Sequence, residues 1–222
     1  MSEEPKTETK SVPLWLQSRE AVIAATPESV WRHGKPNYNV TNKRLDDQRQ
    51  MKFEPGSLEQ TVSNLVRVFE MEATHKENPA DWISVDPEVF RMTVNGSREY
   101  TVKDVTTKGG YNVFIGDLPN YNASASNYEK SEEDFRKAMR SGFLWELLTL
   151  ETDLPKATFT WRHWGSQNGV FNGHKGDGSL MDVPGTSVAT LNSELKLIRL
   201  EHTFDAQGVI NSLSGVCPLG HK

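Results

Sequence analysis

Hydrophobic and polar residues alternate with a period of two in two long segments of the chain. From Ala157 to Trp164 the odd positions carry Ala, Phe, Trp and His, whereas the even positions carry Thr, Thr, Arg and Trp. From Lys196 to Asp205 the even positions hold Ile, Leu, His and Phe between Leu, Arg, Glu and Thr. A period of two is typical of a β-strand with two different faces. Each segment is therefore predicted to be a strand.

The stretch between these strands is rich in glycine and contains only short apolar pieces, as expected for the turns of an antiparallel meander. Further strands are predicted at 143–150 and 88–94, the second followed by a tight Asn95-Gly96 turn. Each strand face mixes aromatic residues with an ionisable one. This composition suits one strongly curved antiparallel sheet whose concave side lines a pocket.

Four helices are predicted from spacing and capping residues. Ser57 can cap a helix to about Lys76, in which apolar residues recur at helical spacing and His75 would act as a cation in the last turn. The other helices are expected at 102–115, with a weak point at Gly109-Gly110, after Ser131 to about 140, and at 206–213 after Asp205.

The order of these elements predicts an α+β fold in which helices pack on one side of the curved sheet. We divide the chain into a disordered tail at 1–10, an irregular N-terminal arm at 11–56, an α+β domain at 57–214 and a C-terminal tail at 215–222. The arm contains aromatic residues separated by prolines, with short helical turns expected at 17–25 and 27–31.

Net charge, cysteine content and the lack of long apolar runs limit the classes of function that are expected. The net charge is −5, from 25 basic and 30 acidic residues, and no basic stripe is visible, so nucleic-acid binding is not expected. The single cysteine, Cys217, excludes an internal disulfide and fits a reducing, cytoplasmic location. No signal peptide or apolar run of about 20 residues is found, so no membrane span is expected.

His163 and His202 are the best candidates for a general acid and base, because each lies on an aromatic-rich face of a predicted strand. The alternative is that each is a core histidine bonded to a backbone carbonyl. The residues predicted to surround the pocket are Phe143, Trp145, Trp161, Trp164, Tyr111, Arg162 and Glu201.

Two of these pocket residues have a second interpretation. Arg162 and Glu201 could instead form ion pairs, because Arg162 and Arg199 could pair with Glu146 or Glu201. A register slip of one residue would exchange His163 for Arg162 on the pocket side. The six histidines lack metal-ligand spacing, so neither a metal nor a cofactor is expected.

Several segments carry a resemblance to known families. The closing half looks like a SnoaL-like polyketide cyclase domain of the nuclear transport factor 2-like superfamily; the matching segments are 169–173, 178–181, 195–205 and 209–213. Over 31–213 the chain more closely resembles the pathogen-related proteins of plants and fungi. That resemblance is carried by Trp31-Arg32, 36–38, 57–62, Glu70-Met-Glu72, His75-Lys76, 94–96, Gly142-Phe143, Trp145-Glu146 and 162–165.

The resemblance implies a cone-shaped α+β fold and either chemistry or ligand binding. SnoaL-like cyclases use an Asp and a His on late strands as acid and base. Here Glu201-His202 lies in the comparable strand, and Phe204 stands where the cyclases have the Asp.

We therefore expect a cofactor-free isomerase, cyclase or dehydratase. Its substrate would be a hydrophobic, oxygenated secondary metabolite, polyketide-like or terpenoid-like, processed by general acid–base catalysis at His163 and His202. The alternatives are a pathogen-related protein that binds a small ligand without chemistry, and an interaction module that forms a homodimer through its outer sheet face.

Overall fold

The computed structural model describes residues 11–152 and 154–216. Its helices are α1 (Arg19–Ala25), α2 (Asn39–Gln48), α3 (Leu58–His75), α4 (Val102–Lys108), α5 (Gly110–Ile115), α6 (Tyr128–Ala138) and α7 (Ala206–Leu213). Its strands are β1 (Arg91–Val94), β2 (Leu144–Leu150), β3 (Lys156–Ser166), β4 (Val170–Phe171), β5 (His174–Lys175), β6 (Leu180–Leu191) and β7 (Leu197–Phe204).

Five strands form one sheet in the order β1-β7-β6-β3-β2, and only the β1–β7 pair is parallel. The β4–β5 hairpin stands apart from it. Register shifts interrupt the β2–β3 and β6–β7 pairs, and such irregularities bend a sheet. The predicted fold class, a curved, mainly antiparallel sheet packed against helices, is confirmed.

The two faces of this sheet can be followed from its register, because directly paired residues point to the same side. Phe159, Trp161 and His163 of β3 share one side with Ser187 of β6 and His202 of β7. We call this the inner face, and it packs against α3 in the main hydrophobic core. The other side, which carries Arg162 and Trp164, is the outer face.

A second hydrophobic cluster covers the remaining part of the inner face. It joins Met181 and Val183 of β6 to Phe135 of α6 and Ile210 of α7. Phe204 packs against both clusters. Because His163 follows Trp161 on β3 and is paired with Val183 on β6, the inner-face histidines lie where the two apolar clusters meet.

The N-terminal segment is more ordered than the irregular arm predicted for 11–56. The expected turns are present as α1 and as a 3-10 turn at Glu28–Val30, but α2 was not predicted. Leu45 is its only buried residue, so α2 has no apolar stripe that a periodicity argument could find. Its end covers the outer face, where the Gln48 side chain accepts a hydrogen bond from the Trp164 indole at 3.0 Å.

The stretch predicted as short pieces contains one twelve-residue strand, β6, which runs through Pro184 and Gly185. Proline fits here because pairing with β7 begins only at Gly185, so the missing N–H of Pro184 removes no bond to that strand. The sequence pattern alone suggested a break at this point.

Several predicted helix boundaries are confirmed and one is wrong. Ser57 and Asp205 cap α3 and α7, and the helix predicted at 102–115 is divided at Gly109, whose φ is +93°. The helix expected to start after Ser131 begins earlier, at Tyr128, because the Asn127 side chain caps it.

A buried ion pair fixes α3 in place. Lys76 Nζ lies 2.8 Å from Glu72 Oε1, and both side chains are almost fully covered. Glu72 also accepts hydrogen bonds from the backbone of Ile83 and Ser84. All the charges of this pair are satisfied within the fold, which fits a structural role.

The predicted tail at 1–10 and Cys217 lie outside the described residues. Within the described ranges, no helix combines the length and apolar character needed to cross a bilayer.

Candidate functional site

His163 lies on the inner face, next to the carboxylate of Glu70 from α3. The His163 Nε2 and Glu70 Oε1 atoms are 3.2 Å apart, and the two side chains are 23% and 26% exposed. Phe143 stacks on the imidazole ring with centroids 4.6 Å apart. Neither side chain is fully covered, so both border the space between the sheet and α3.

The Glu70 contact determines which His163 nitrogen is free. A carboxylate only accepts hydrogen bonds, so Nε2 carries the proton that is donated to Glu70. In the neutral ring Nδ1 is then an acceptor, and this atom is buried without a hydrogen-bond partner among the described residues. Glu70 therefore fixes the orientation of the His163 ring and leaves the lone pair of Nδ1 free to accept a proton, as a general base requires.

His202 belongs to a buried chain of three side chains. Trp161 Nε1 donates to Ser187 Oγ at 2.6 Å, and Ser187 Oγ lies 2.6 Å from His202 Nδ1. Since the indole only donates, the serine hydroxyl hydrogen is free to be donated to His202 Nδ1, and we adopt this tautomer. The proton of neutral His202 is then on Nε2, which is buried and has no partner in the described part of the chain.

Burial controls the charge of His202. Burial, together with a smaller contribution from the nearby His163, lowers its pKa from 6.5 to about 3. His202 is therefore neutral at pH 7 and offers a hydrogen-bond donor where His163 offers an acceptor. Phe114 covers its ring at a centroid distance of 4.6 Å.

Gly185 makes room for the indole that connects these groups. A Cβ at this position would lie 2.2 Å from Trp161 Cζ2, far inside van der Waals contact. Only glycine lets Trp161 lie across β6 and reach Ser187.

Tyr111 of α5 and Glu132 of α6 add two protonated groups to the same interior. Burial raises the pKa of Tyr111 well above its usual value, and Glu132 and Glu70 raise it further. Burial also raises the pKa of Glu132 to about 8, with a further contribution from Glu129. Both side chains thus retain a proton at neutral pH.

A cavity of about 70 Å³ lies at the β2 edge of the sheet, between α3 and the N-terminal segment. Glu70 and Phe143 contribute to its lining, so it adjoins the His163–Glu70 pair. Its other lining residues include Arg19, Tyr38 and Arg67. The Arg19 guanidinium lies over the Tyr38 ring, 3.7 Å from the centroid.

Five of the residues predicted from sequence meet on the inner side. His163 and Trp161 belong to β3 and Trp145 is paired with His163, while Phe143 stacks on that ring. His202 joins them through Ser187. Tyr111 stacks on Phe135 in the second hydrophobic cluster.

Three predicted pocket residues lie on the outer face instead. Arg162 pairs with Glu146 at 2.6 Å, Glu201 pairs with Arg199 at 3.3 Å, and Trp164 is covered by the N-terminal segment. Strand alternation, with no register slip at His163, places all three away from the pocket. The alternative interpretation of Arg162 and Glu201 as ion-pair residues is therefore confirmed.

The expectation that His75 acts as a helix-terminal cation is wrong. Burial lowers its pKa to about 4, and the charges of Arg19 and His33 lower it further. His75 is neutral at pH 7, with the Tyr38 ring against its edge at 5.9 Å.

Sequence reasoning did not identify Glu70 or Arg67 as site residues. Glu70 is four residues after Val66 and three before Ala73, so a carboxylate interrupts the apolar stripe of α3. That interruption was the sequence feature that could have identified Glu70 as a site residue. Arg19 and Tyr38 gave no comparable signal, because only tertiary packing brings the N-terminal segment to the cavity.

Among the residues that the structure describes, no group of three or more His, Cys, Asp or Glu side chains could hold a metal ion. The polar groups of the inner face and the adjoining cavity are hydrogen-bond donors, acceptors and proton carriers. Their arrangement suits acid–base chemistry or the binding of an oxygenated ligand.

Comparison with known proteins was made at the level of families, curated sequences and solved structures. No family model matches the chain. It is 32% identical over 186 residues to a pathogen-related protein of Hordeum vulgare, an alignment that covers 80% of this chain and 79% of the barley protein.

Two solved structures illustrate the structural similarity. A protein from Jannaschia sp. CCS1 named as a SnoaL-like polyketide cyclase covers 74% of this chain and 97% of its own, with 13% identity and a TM-score of 0.40. A protein from Acidithiobacillus ferrooxidans named as a polyketide cyclase covers 74% and 100%, with 16% identity and a TM-score of 0.44. At these TM-scores the similarity is too weak to support a conclusion about function.

The fold and the site define an α+β protein whose sheet has an aromatic inner face that carries two histidines. The sequence identity to the barley protein is higher than that to the two solved structures, and the alignment covers most of both chains. The chain belongs to the pathogen-related protein family.

Proposed function

We propose that the protein is a cofactor-free enzyme that isomerises, cyclises or dehydrates a hydrophobic, oxygenated small molecule by proton transfer. The observation that carries this proposal is the Glu70–His163 pair, held at 3.2 Å and partly open to the inner space. A histidine ordered by a carboxylate, with its other nitrogen free, is a standard arrangement for a general base.

In the proposed mechanism His163 Nδ1 removes a proton from carbon or oxygen of the substrate. Glu70 keeps the imidazole in the required tautomer and stabilises the imidazolium that forms. The oxygen that gains negative charge needs a donor, and His202 Nε2–H is a neutral donor without a partner among residues 11–152 and 154–216. Tyr111 and Glu132 supply further protonated groups.

The aromatic walls give the substrate its expected character. Phe143, Trp145 and Trp161 surround the His163 ring, so the molecule that reaches Nδ1 must present an apolar surface with few oxygen atoms. Exclusion of water by these rings strengthens each hydrogen bond made during the reaction. Polyketide-like and terpenoid-like compounds have this combination of properties.

A second candidate is a pathogen-related protein that holds a small ligand without chemistry. The size of the cavity at Glu70 favours it, since about 70 Å³ is well below the several hundred Å³ typical of sites for large ligands. Helices α1 and α2 close this cavity from one side, which would favour slow ligand exchange.

Deuterium incorporation tests the catalytic proposal without knowledge of the natural substrate. A panel of enolisable aromatic ketones is incubated in D₂O with the protein, and mass spectrometry follows the gain of one mass unit. We expect exchange of at least one member above the buffer rate, and a loss of about 10²-fold or more in both His163→Ala and Glu70→Gln.

The chain provides a matched control for this experiment. His33 and Glu129 form another His–carboxylate pair at 3.1 Å, but both side chains are mostly exposed. The variant His33→Ala should exchange like wild type. If no ketone exchanges, or if His33→Ala loses as much as His163→Ala, the catalytic proposal fails; a ketone that binds without exchange favours the second candidate.

We also propose the cytoplasm as the location and a homodimer as the assembly. The outer face near β2 and β3 is covered by the N-terminal segment, so a dimer would have to use the remaining surface. Light scattering at several protein concentrations tests the assembly directly.

A further inference from the structure

Two arginines of the β2-edge cavity lack the charged partners that such residues normally have. Arg67 of α3 and Arg19 of α1 both donate to the same atom, Asn42 Oδ1, at 3.2 and 3.0 Å. Neither guanidinium has a carboxylate oxygen within 4.0 Å in the described ranges, and Arg19 Nε is buried without any hydrogen-bond partner. One amide oxygen thus accepts hydrogen bonds from two guanidinium groups.

The cavity environment makes this arrangement costly. Burial and the neighbouring charge of Arg19 together lower the pKa of Arg67 to about 10. By contrast, the buried Arg162 on the outer face is bonded to Glu146, Asp182 and the Gln48 carbonyl. Arg162 thus has three acceptors for its guanidinium, whereas Arg19 and Arg67 share one amide oxygen.

The charges that line the cavity indicate the charge of its ligand. Arg19 and Arg67 contribute two positive charges and Glu70 contributes one negative charge. Glu20, which accepts from Asn42 Nδ2 at 2.6 Å, adds a second negative charge close to both guanidinium groups. Two cations and two carboxylates therefore lie together, and a ligand with one negative charge disturbs this balance less than a phosphate dianion.

We propose that Arg19 and Arg67 bind the carboxylate of an aromatic or otherwise hydrophobic carboxylic acid, which is the substrate class of the neighbouring Glu70–His163 pair. The planar guanidinium matches a carboxylate in geometry, and Tyr38, Phe143 and Trp145 provide apolar walls beside it. A space of about 70 Å³ accommodates the carboxylate group itself. This inference rests on the proposed function for its catalytic part only.

The position of Arg67 on α3 connects the two sites. It precedes Glu70 by three residues, so the two side chains are neighbours on one helix face, about 4.5 Å apart along the axis. A carboxylate on Arg67 would place the adjoining carbon atoms near the Glu70–His163 pair. Carbon next to a carboxyl or keto group is where a general base acts in isomerisation and dehydration.

Binding of benzoate tests the inference independently of any turnover. Calorimetry, supported by the fluorescence of Trp145 in the cavity wall, compares benzoate, methyl benzoate and phenylphosphonate. We expect benzoate to bind at least about tenfold more tightly than its uncharged ester and more tightly than the dianion. Arg67→Gln and Arg19→Gln should each weaken benzoate binding by about tenfold or more.

Two further variants make the outcome specific. Glu70→Gln removes a negative charge from the lining and should strengthen benzoate binding several-fold, although it abolishes exchange of ketones. Arg98→Gln changes an exposed arginine that pairs with Asp104 and should have no effect. Circular dichroism of each variant confirms that it is folded, and Arg67→Lys, which keeps the charge, should retain part of the affinity if Gln at this position unfolds the protein.

The possible failures are distinguishable. Equal affinity for benzoate and methyl benzoate, or unchanged affinity in both folded arginine variants, overturns the carboxylate site. Such a result accompanied by His163-dependent deuterium exchange would leave the proposed enzyme intact with a neutral substrate. If benzoate binds but no ketone exchanges deuterium, the carboxylate site is retained and the protein is a ligand-binding protein without catalysis.

Discussion

Two neighbouring residues of β3 differ in how completely their buried polar atoms are hydrogen-bonded, because they lie on opposite faces of the sheet. Arg162 on the outer face has two carboxylates and a backbone carbonyl as partners, at 2.6 to 3.0 Å. His163 on the inner face has one partner and keeps a buried nitrogen free. The outer face is fully paired, whereas the inner face leaves hydrogen-bonding capacity for a ligand.

This contrast separates the buried polar groups that stabilise the fold from those that remain available to a ligand. A buried polar atom without a partner costs free energy, and a ligand that forms a hydrogen bond with it recovers part of that cost. His163 Nδ1, His202 Nε2 and Arg19 Nε all lie on the inner or cavity side. Arg162 and Glu146 instead anchor the N-terminal segment, because Glu146 also accepts the backbone N–H groups of Gln50 and Met51.

The largest effect is expected when the outer-face ion pair is broken. Arg162→Met leaves Glu146 buried without its cation and detaches the end of α2, so the free energy of unfolding should fall by about 3–5 kcal/mol. Chemical denaturation measures this loss. The matched inner-face change His163→Asn should alter stability by only about 1 kcal/mol or less. Comparable losses in both variants would contradict the distinction between the faces.

A smaller and more selective effect is expected for two tryptophans of β3. Trp161 donates to Ser187 on the inner face and Trp164 donates to Gln48 on the outer face. Changing either to Phe removes one hydrogen bond and part of a buried ring, which should cost about 1–3 kcal/mol. Only Trp161→Phe should also change deuterium exchange, because only its indole positions the Ser187–His202 pair. Equal changes in exchange would show that the effect comes from stability alone.

The sequence predicted the regular parts of the fold because their signals are local. Alternation over Ala157–Trp164 and the capping residues Ser57 and Asp205 correspond to β3, α3 and α7. α2 was missed because it carries almost no apolar residues. β6 was predicted as short apolar pieces because the stretch is rich in glycine, whereas its pairing with β3 is continuous.

The site was predicted less completely, for a physical reason. Alternation along β3 and β7 grouped His163 with Trp161 and His202 with Phe204, but period alone did not say which face meets the helices. Glu70 belongs to a helix about ninety residues away in sequence, and Arg19 to another, so their contact with the pocket is purely tertiary. The pairing partners of Arg162 and Glu201, in contrast, were anticipated because they lie on adjacent or neighbouring strand positions.

The central claim is that the inner face encloses His202, so that this side chain stays neutral at physiological pH. Burial lowers the pKa of His202 to about 3 in the folded protein, compared with 6.5 for an unperturbed histidine. The unfolded chain then binds this proton more readily, so the stability associated with His202 is complete above pH 6.5 and declines as the pH falls from 6.5 towards 3.

The measurement that tests this most directly is a ¹⁵N NMR titration of the histidine rings between pH 7.5 and 4.5, with His202→Gln used to assign the signal. The account predicts that His202 stays neutral to pH 5 or below, with one protonated and one unprotonated ring nitrogen throughout. Protonation of His202 close to pH 6.5 would show that water reaches the inner face freely, and would contradict the enclosed pocket on which the proposed chemistry depends.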